Sequence, residues 1–194
     1  MSALPDGLVL RTARPADLDQ IATLLVERGE EGDDVDHRLV VQDPDAGWAS
    51  CAVVVDGDRV VSTATLLDET VRVGSVTVPA GQVELVATHE DFEGRGLSRA
   101  LMGWAHERSA ARGHLLQVMI GIPCYYRLFG YEYAIDIPPA RELVEVPEPL
   151  PPLGTEGRPV PGPFELRLAT RADIPALAAL QGLAQSEYDV AVPH

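Results

Sequence analysis

A mixed α/β fold built around one parallel βαβ unit is predicted by three observations. An apolar, β-branched run from Val83 to Thr88 leads through the glycine turn Gly94-Arg95-Gly96 into an amphipathic stretch ending at Gly113, and a second apolar run, Leu115 to Ile120, follows. Strand, turn, helix and strand in that order make the two runs parallel neighbours. Upstream, Ala49 to Val55 and Val60 to Leu67 flank Asp56-Gly57-Asp58-Arg59, the pattern of an antiparallel hairpin. The 194 residues suffice for one good-sized core and are too few for two, and a 46% apolar share is that of a globular protein.

Taken in order, Leu8-Val9-Leu10-Arg11 reads as a strand, and Pro15 opens a helix whose Leu18, Ile21, Ala22 and Leu25 share one face. Asp17 near its start complements the helix dipole. An acidic, glycine-containing segment from Glu27 to Asp36 interrupts the pattern, and His37 to Gly47 carries either a short second helix or a loop. After the hairpin, Val71, Val73, Val76 and Val78 extend around Gly74, and Pro79-Ala80-Gly81 breaks this chain before the central strand Val83 to Thr88. Leu97, Ala100, Leu101, Trp104 and Ala105 then recur at helical spacing, with Gly113 where a C-terminal cap belongs. Leu115 to Ile120 suits a strand covered on both faces. A short helix from Cys124 to Phe129 and a last strand from Tyr131 to Ile135 complete a domain over residues 1–137. Proline and glycine dominate residues 138–163, which read as a linker.

Past the linker the chain repeats its own beginning. Phe164-Glu165-Leu166-Arg167-Leu168-Ala169-Thr170-Arg171-Ala172-Asp173-Ile174 aligns without a gap on Leu8 to Leu18, and Ala22 and Leu24 coincide with Ala178 and Leu180. Thr170 and Asp173 suit a helix cap better than Arg14 and Asp17 do. Chance likeness of two strand–helix starts is the alternative to reading residues 164–194 as the start of a second, homologous repeat that runs for about thirty residues. A lone strand and helix cannot bury a core. This tail is therefore expected to pack on the first domain, to pack on a second copy and so form a homo-oligomer, or to stay loose.

Fifteen Lys and Arg against 30 Asp and Glu give a net charge of −15, which opposes nucleic-acid and anionic-membrane partners and suits cationic ones. No apolar run approaches the roughly 20 residues of a membrane span. Cys51 and Cys124 form no metal spacing, no metal is expected, and Met1 to Gly7 lacks the features of a signal peptide, so a cytoplasmic protein with reduced thiols is the expectation.

A strand that passes through a glycine turn into a helix start leaves backbone N–H groups aimed at one point, which suits an anion such as a pyrophosphate. Three segments carry a resemblance to the GNAT family of acetyl-CoA-dependent N-acetyltransferases, in particular to the N-terminal domain of bacterial tandem-GNAT proteins. They are Val83 to Met102, which resembles the family's cofactor-binding strand, loop and helix; Tyr125-Tyr126-Arg127-Leu128-Phe129-Gly130-Tyr131; and the Arg11 to Leu25 start, repeated at Arg167. The resemblance implies a mostly antiparallel sheet with a central parallel pair splayed to admit acetyl-CoA, and helices on both faces. It implies that the pantetheine arm pairs with Val86 and Thr88, flanking Ala87, and that the pyrophosphate sits on the N–H groups of Gly94, Arg95, Gly96, Leu97, Ser98 and Arg99. An N–H near Val86 would polarise the thioester carbonyl, and the acetyl group would arrive close to Gly121. The family's loop pattern is Gln or Arg, two residues, Gly, one residue, then Gly or Ala; here those positions hold Glu93, Gly96 and Ser98. Ser98 could cap the helix, and Glu93 repels a phosphate unless it turns outward or pairs with Arg95 or Arg99.

For chemistry, an amine of pKa about 10 is protonated at neutral pH, and freeing its lone pair costs roughly 4 kcal/mol, so a base is useful. Glu84, two residues before Val86, is the candidate base; a solvent-facing carboxylate is the alternative reading, and His89 a second candidate relay. Tyr126, four residues before Gly130, stands where the family's general-acid tyrosine does, with an ordinary buried aromatic as the alternative. Cys124 is read as a buried structural thiol, since the family transfers the acetyl group directly. The reading is an N-acetyltransferase acting on a small-molecule or peptide amine, for which the acidic segment after the first helix suits a cationic amine; a catalytically weak module that binds acetyl-CoA or another protein is the alternative.

Overall fold

Strict alternation builds the centre of the molecule. Along strand β2 (Cys51–Asp56), Cys51, Val53 and Val55 enter one apolar cluster while Ala52 and Val54 enter the other, so both faces of the sheet are covered. The computed structural model describes residues 4–5, 7–134 and 168–191. The chain divides into two units, Met1–Glu132 with Gln185–His194, and Tyr133–Ala184.

In the first unit, β1 (Leu8–Thr12) leads through a 3-10 turn at Pro15–Asp17 into helix α1 (Leu18–Arg28). Helix α2 (Asp33–Gln42), β2, β3 (Arg59–Val73), β4 (Val76–Thr88), α3 (Leu97–Ala111) and β5 (Leu116–Val118) follow. The sheet runs β1-β2-β3-β4-β5, antiparallel except for the parallel β4–β5 pair. Ile21, Leu24 and Leu25 of α1 pack on one face of it, and Leu97, Leu101, Met102 and Ala105 of α3 on the other. Each large side chain so buried contributes about 1.5–3 kcal/mol. The expected mixed sheet, mostly antiparallel with one parallel pair and helices on both faces, is the observed one. Strand β6 (Val190–Ala191) pairs with the outer end of β3 at Arg72 and Val73, and Arg72 Nη2 donates to the carbonyls of Gln185 (2.7 Å) and Tyr188 (2.9 Å).

Asp17 does more than complement a dipole. It is buried, both its oxygens accept from the Arg11 guanidinium at 2.7 and 2.8 Å, and it accepts the Arg14 N–H at 2.7 Å. The Arg11 hydrogen bonds hold its pKa below the ordinary carboxylate value.

Several expectations are corrected. Pro79-Ala80-Gly81 does not break the strand: β4 is continuous, the Pro79 carbonyl accepts the Leu115 N–H at 2.9 Å, and a Cβ on Gly81 would lie 2.7 Å from His114 Nδ1, so the glycine serves close packing. Of the segment read as helix or loop, residues 37–42 are helical and residues 43–47 are not, and α2 begins inside the acidic segment, because Asp33, Asp34 and Asp36 occupy a first turn that favours negative charge. Leu115 to Ile120 is not covered on both faces; only Leu116–Val118 is strand, and Leu115 and Ile120 are 70% and 67% exposed, because among the described residues β4 alone pairs with β5. Tyr131 to Ala134 form no strand, and Ile135 lies outside the described residues. Finally Cys124 is exposed, held at φ 67°, whereas Cys51 is the buried thiol.

In the second unit, a 3-10 turn at Arg171–Asp173 leads into α4 (Ile174–Gln185). Both the N–H and the hydroxyl of Thr170 donate to Asp173 Oδ2 at 2.8 Å, as the capping residues predict. Residues 138–163 and the strand read at Phe164 to Arg167 lie outside the described residues.

Candidate functional site

Strand β4 is irregular where the site residues lie. Thr63 stands opposite Ala87 and Thr65 opposite Glu84, so Leu85 and Val86 together oppose the single residue Ala64. This is a β-bulge, and Leu85 takes a left-handed φ of 54°, a conformation that costs a branched side chain about 1–2 kcal/mol. Pairing to β5 spans only Ala80 to Gln82. From Val83 to Thr88, therefore, β4 has no parallel neighbour among the described residues. Parallel pairing thus stops before the stretch where the resemblance expects the two strands to splay. The bulge itself went unread in the sequence; its signal is the adjacent apolar pair Leu85-Val86, which violates strand alternation without any glycine.

Beyond β4, a 3-10 turn at Glu90–Phe92 leads to Gly94 (φ 71°) and Gly96 (φ 80°), and α3 starts at Leu97 with no side chain capping it. Both glycines take the left-handed conformation that a side chain disfavours, and the first-turn N–H groups of α3 have no acceptor within the helix. Free N–H groups at a helix start are of the kind that can hold an anion. Ser98 does not cap, contrary to expectation: its hydroxyl lies 3.5 Å from Thr88 Oγ1, which in turn is 2.7 Å from Ser62 Oγ. Glu93 pairs with neither Arg95 nor Arg99. Its partner is Arg28, in the last turn of α1. Arg95 lies over the Phe92 ring and donates to the Asp91 carbonyl at 2.8 Å, and Arg99 lies over Phe129.

Glu84 and Tyr126 come within electrostatic reach of one another. The half-buried Glu84 carboxylate accepts from Gln82 Nε2 at 2.6 Å; burial pushes its pKa up, and the negative charges of Asp33, Glu30 and Asp36 add to the rise. Burial likewise raises the Tyr126 phenol, with further contributions from Tyr125 and Glu84. The Tyr126 ring sits against Gly121, three residues past the end of β5, so closely that a Cβ there would overlap it. Val86 and Tyr126 pack on the same apolar cluster. Tyr131, whose hydroxyl donates to Gln117 Oε1, is pushed up to about 12 by burial.

His89 is turned to structural use, since its Nδ1 accepts the Asp91 N–H at 3.2 Å and its Nε2 lies 2.6 Å from Arg59. Ser109, His114 and Asp68 form a row at 3.1 and 3.0 Å that has the residue types of a hydrolytic triad. With Ser109 only 3% exposed the row cannot meet a substrate, and together with Arg112, which donates to Asp68 at 2.6 Å, it ties the end of α3 to β3. Among the described residues no three His, Cys, Asp or Glu side chains converge as metal ligands, and no helix is long and apolar enough to cross a membrane.

Solved structures share this architecture. A transcriptional regulator from Bacillus halodurans C-125 matches 70% of this chain and 99% of its own, with 19% identity and a TM-score of 0.56. The glucosamine-6-phosphate N-acetyltransferase of Arabidopsis thaliana matches 70% of this chain and 98% of its own, at 15% identity and a TM-score of 0.55. At 27% identity and a TM-score of 0.55, a GCN5-related N-acetyltransferase from Kribbella flavida matches 64% of this chain, which spans only 33% of that protein. No curated protein matches the chain in sequence. The family model of the acetyltransferase (GNAT) domain matches residues 10–134, from the middle of β1 past the Tyr126 turn, and so takes in the bulge, the glycine turn and both titrating side chains. Acetyl transfer from acetyl-CoA is the general property of that domain. By this match over most of its length, the chain belongs to the GNAT acetyltransferase family.

Proposed function

We propose that this protein is an N-acetyltransferase that moves the acetyl group of acetyl-CoA to a primary amine by direct attack in a ternary complex. The observation that carries the reading is the bulge at Leu85 and Val86 on an unpaired edge of β4, within reach of two side chains able to exchange protons. Acetyl-CoA supplies an activated thioester. The backbone of Val86, Ala87 and Thr88 would hold its extended arm, and the amides from Gly94 to Arg99 its pyrophosphate. Glu84, with its raised pKa, is suited to take the proton from an incoming ammonium group, and the Tyr126 phenol, kept protonated by burial, to give one to the departing thiolate. The charges of Glu30, Asp33 and Asp36 that act on Glu84 support a cationic acceptor of the polyamine or aminoglycoside class. The cysteine content supports work in the cytoplasm.

The test is thiol release from acetyl-CoA in the presence of amines of graded charge. Tyr126→Phe is expected to lower kcat about 100-fold or more with little change in the Kd for CoA. Unchanged turnover in that variant removes Tyr126 from the mechanism, and no binding of CoA at millimolar concentration removes the cofactor reading altogether.

A further inference from the structure

The glycine turn has a carboxylate at its edge and borrows a cation from another element. We infer that Arg28 is a positioning residue for coenzyme A, its task being to neutralise Glu93 so that the amides from Gly94 to Arg99 present an unopposed positive field to the phosphates; this rests on the acetyl-CoA reading above.

Glu93 is adjacent to Gly94, the first residue of the turn, and its side chain is more than half exposed. An unscreened carboxylate there would repel a pyrophosphate. The two cations nearest in sequence are occupied elsewhere, Arg95 on Phe92 and the Asp91 carbonyl, Arg99 on Phe129. The charge comes from 65 residues away. Arg28 occupies the last turn of α1, where a cation also complements the helix dipole, and its guanidinium meets the Glu93 carboxylate. Its position is set by the tight link to α2: the Gly29 N–H donates to the Leu25 carbonyl at 2.7 Å, the Glu30 N–H donates to Asp33 Oδ2 at 2.9 Å, and a Cβ on Gly29 would collide with the Asp33 carboxylate. The link that fixes Arg28 also contains Glu30 and leads into Asp33 and Asp36, the acids that act on Glu84. The end of α1 thus meets the cofactor turn through one ion pair, and the next few residues carry the charges proposed to receive the amine.

A double-mutant cycle read by calorimetry with CoA tests this. Arg28→Ala is expected to weaken CoA binding about five-fold at low salt, with the loss shrinking as ionic strength rises. In a Glu93→Gln background the same substitution should change the Kd by less than about two-fold, because the charge it neutralises is gone. Pantetheine, which lacks the phosphates, should bind the Arg28→Ala variant and the parent alike. The exchanged pair Arg28→Glu with Glu93→Arg guards against simple loss of folding and should bind CoA at least as well as the parent. An equal loss in the parent and Glu93→Gln backgrounds, or an equal loss for pantetheine, overturns the role of Arg28 while leaving the cofactor reading intact; no CoA binding by the parent overturns both.

Discussion

At α1 the Arg14 N–H is held by Asp17, and at α4 the Thr170 N–H is held by Asp173, each at the head of a 3-10 turn that becomes an α-helix. The aligned side chains that follow meet opposite surroundings. Ile21 and Leu24 are 0% and 3% exposed, whereas Leu177 and Leu180, at the matching positions, are 50% and 62% exposed. A helix start is a local event, satisfied by a carboxylate three residues on; covering its apolar stripe needs a sheet, which α1 has in β2 and β3. Capping chemistry is therefore local and can be read in the sequence, more plainly at Thr170 and Asp173 than at Arg14 and Asp17, while stability cannot.

The sharpest way to break this comparison is to truncate the aligned leucines. Leu24→Ala should cost about 3–5 kcal/mol in denaturant unfolding and Leu180→Ala no more than about 0.5 kcal/mol. A large loss at Leu180 would mean that α4 is covered in solution. Acid probes the same contrast through His37 of α2, which is fully buried beside Cys51 and Trp48, with its Nε2 unpartnered among the described residues. Burial lowers its pKa from 6.5 to about 4. The folded state holds the neutral ring, so its contribution is complete above pH 6.5 and is lost as pH falls towards 4, by roughly 2.5 kcal/mol at pH 4.5. Equilibrium unfolding as a function of pH, with His37→Gln as the control that flattens this interval, measures it. The smallest effect concerns the caps. Asp17→Asn should cost about 1–2 kcal/mol, since it disturbs a buried ion pair as well as a cap, and Asp173→Asn about 0.5 kcal/mol or less. Because the pKa of Asp17 is depressed, its contribution is present above the ordinary carboxylate range and fades as pH falls through the folded value. Equal losses at the two aspartates would show that Arg11 adds nothing to the cap.

Much of the fold was legible because it is written in periods. Valines and alanines alternating along β2, the turn residues at Gly57 and Gly74, and the stripe from Leu97 to Ala105 each state a local geometry. Gly81 was misread because a glycine placed for close packing looks the same in sequence as one placed to break a strand. Leu115 and Ile120 were misread as covered because an apolar run records what a residue prefers, not what lies above it. Of the candidate site, the glycine turn was visible as spacing, and Tyr126 through the resemblance of its segment to the family's. The partner of Glu93 was not, since a pair separated by 65 residues has no local signature.

The sequence by itself determined the periods of the main strands and helices, which turn exposes backbone amides, and which residue types could exchange protons there. Tertiary structure alone decided the bulge at Leu85, the joint placement of Glu84 and Tyr126, and the pairing of Arg28 with Glu93. The physical reason is range. Hydrogen-bonded turns and apolar periods are settled among near neighbours, whereas a strained φ, a raised pKa and an ion pair between distant segments exist only once the sheet has brought α1, β4 and the glycine turn together.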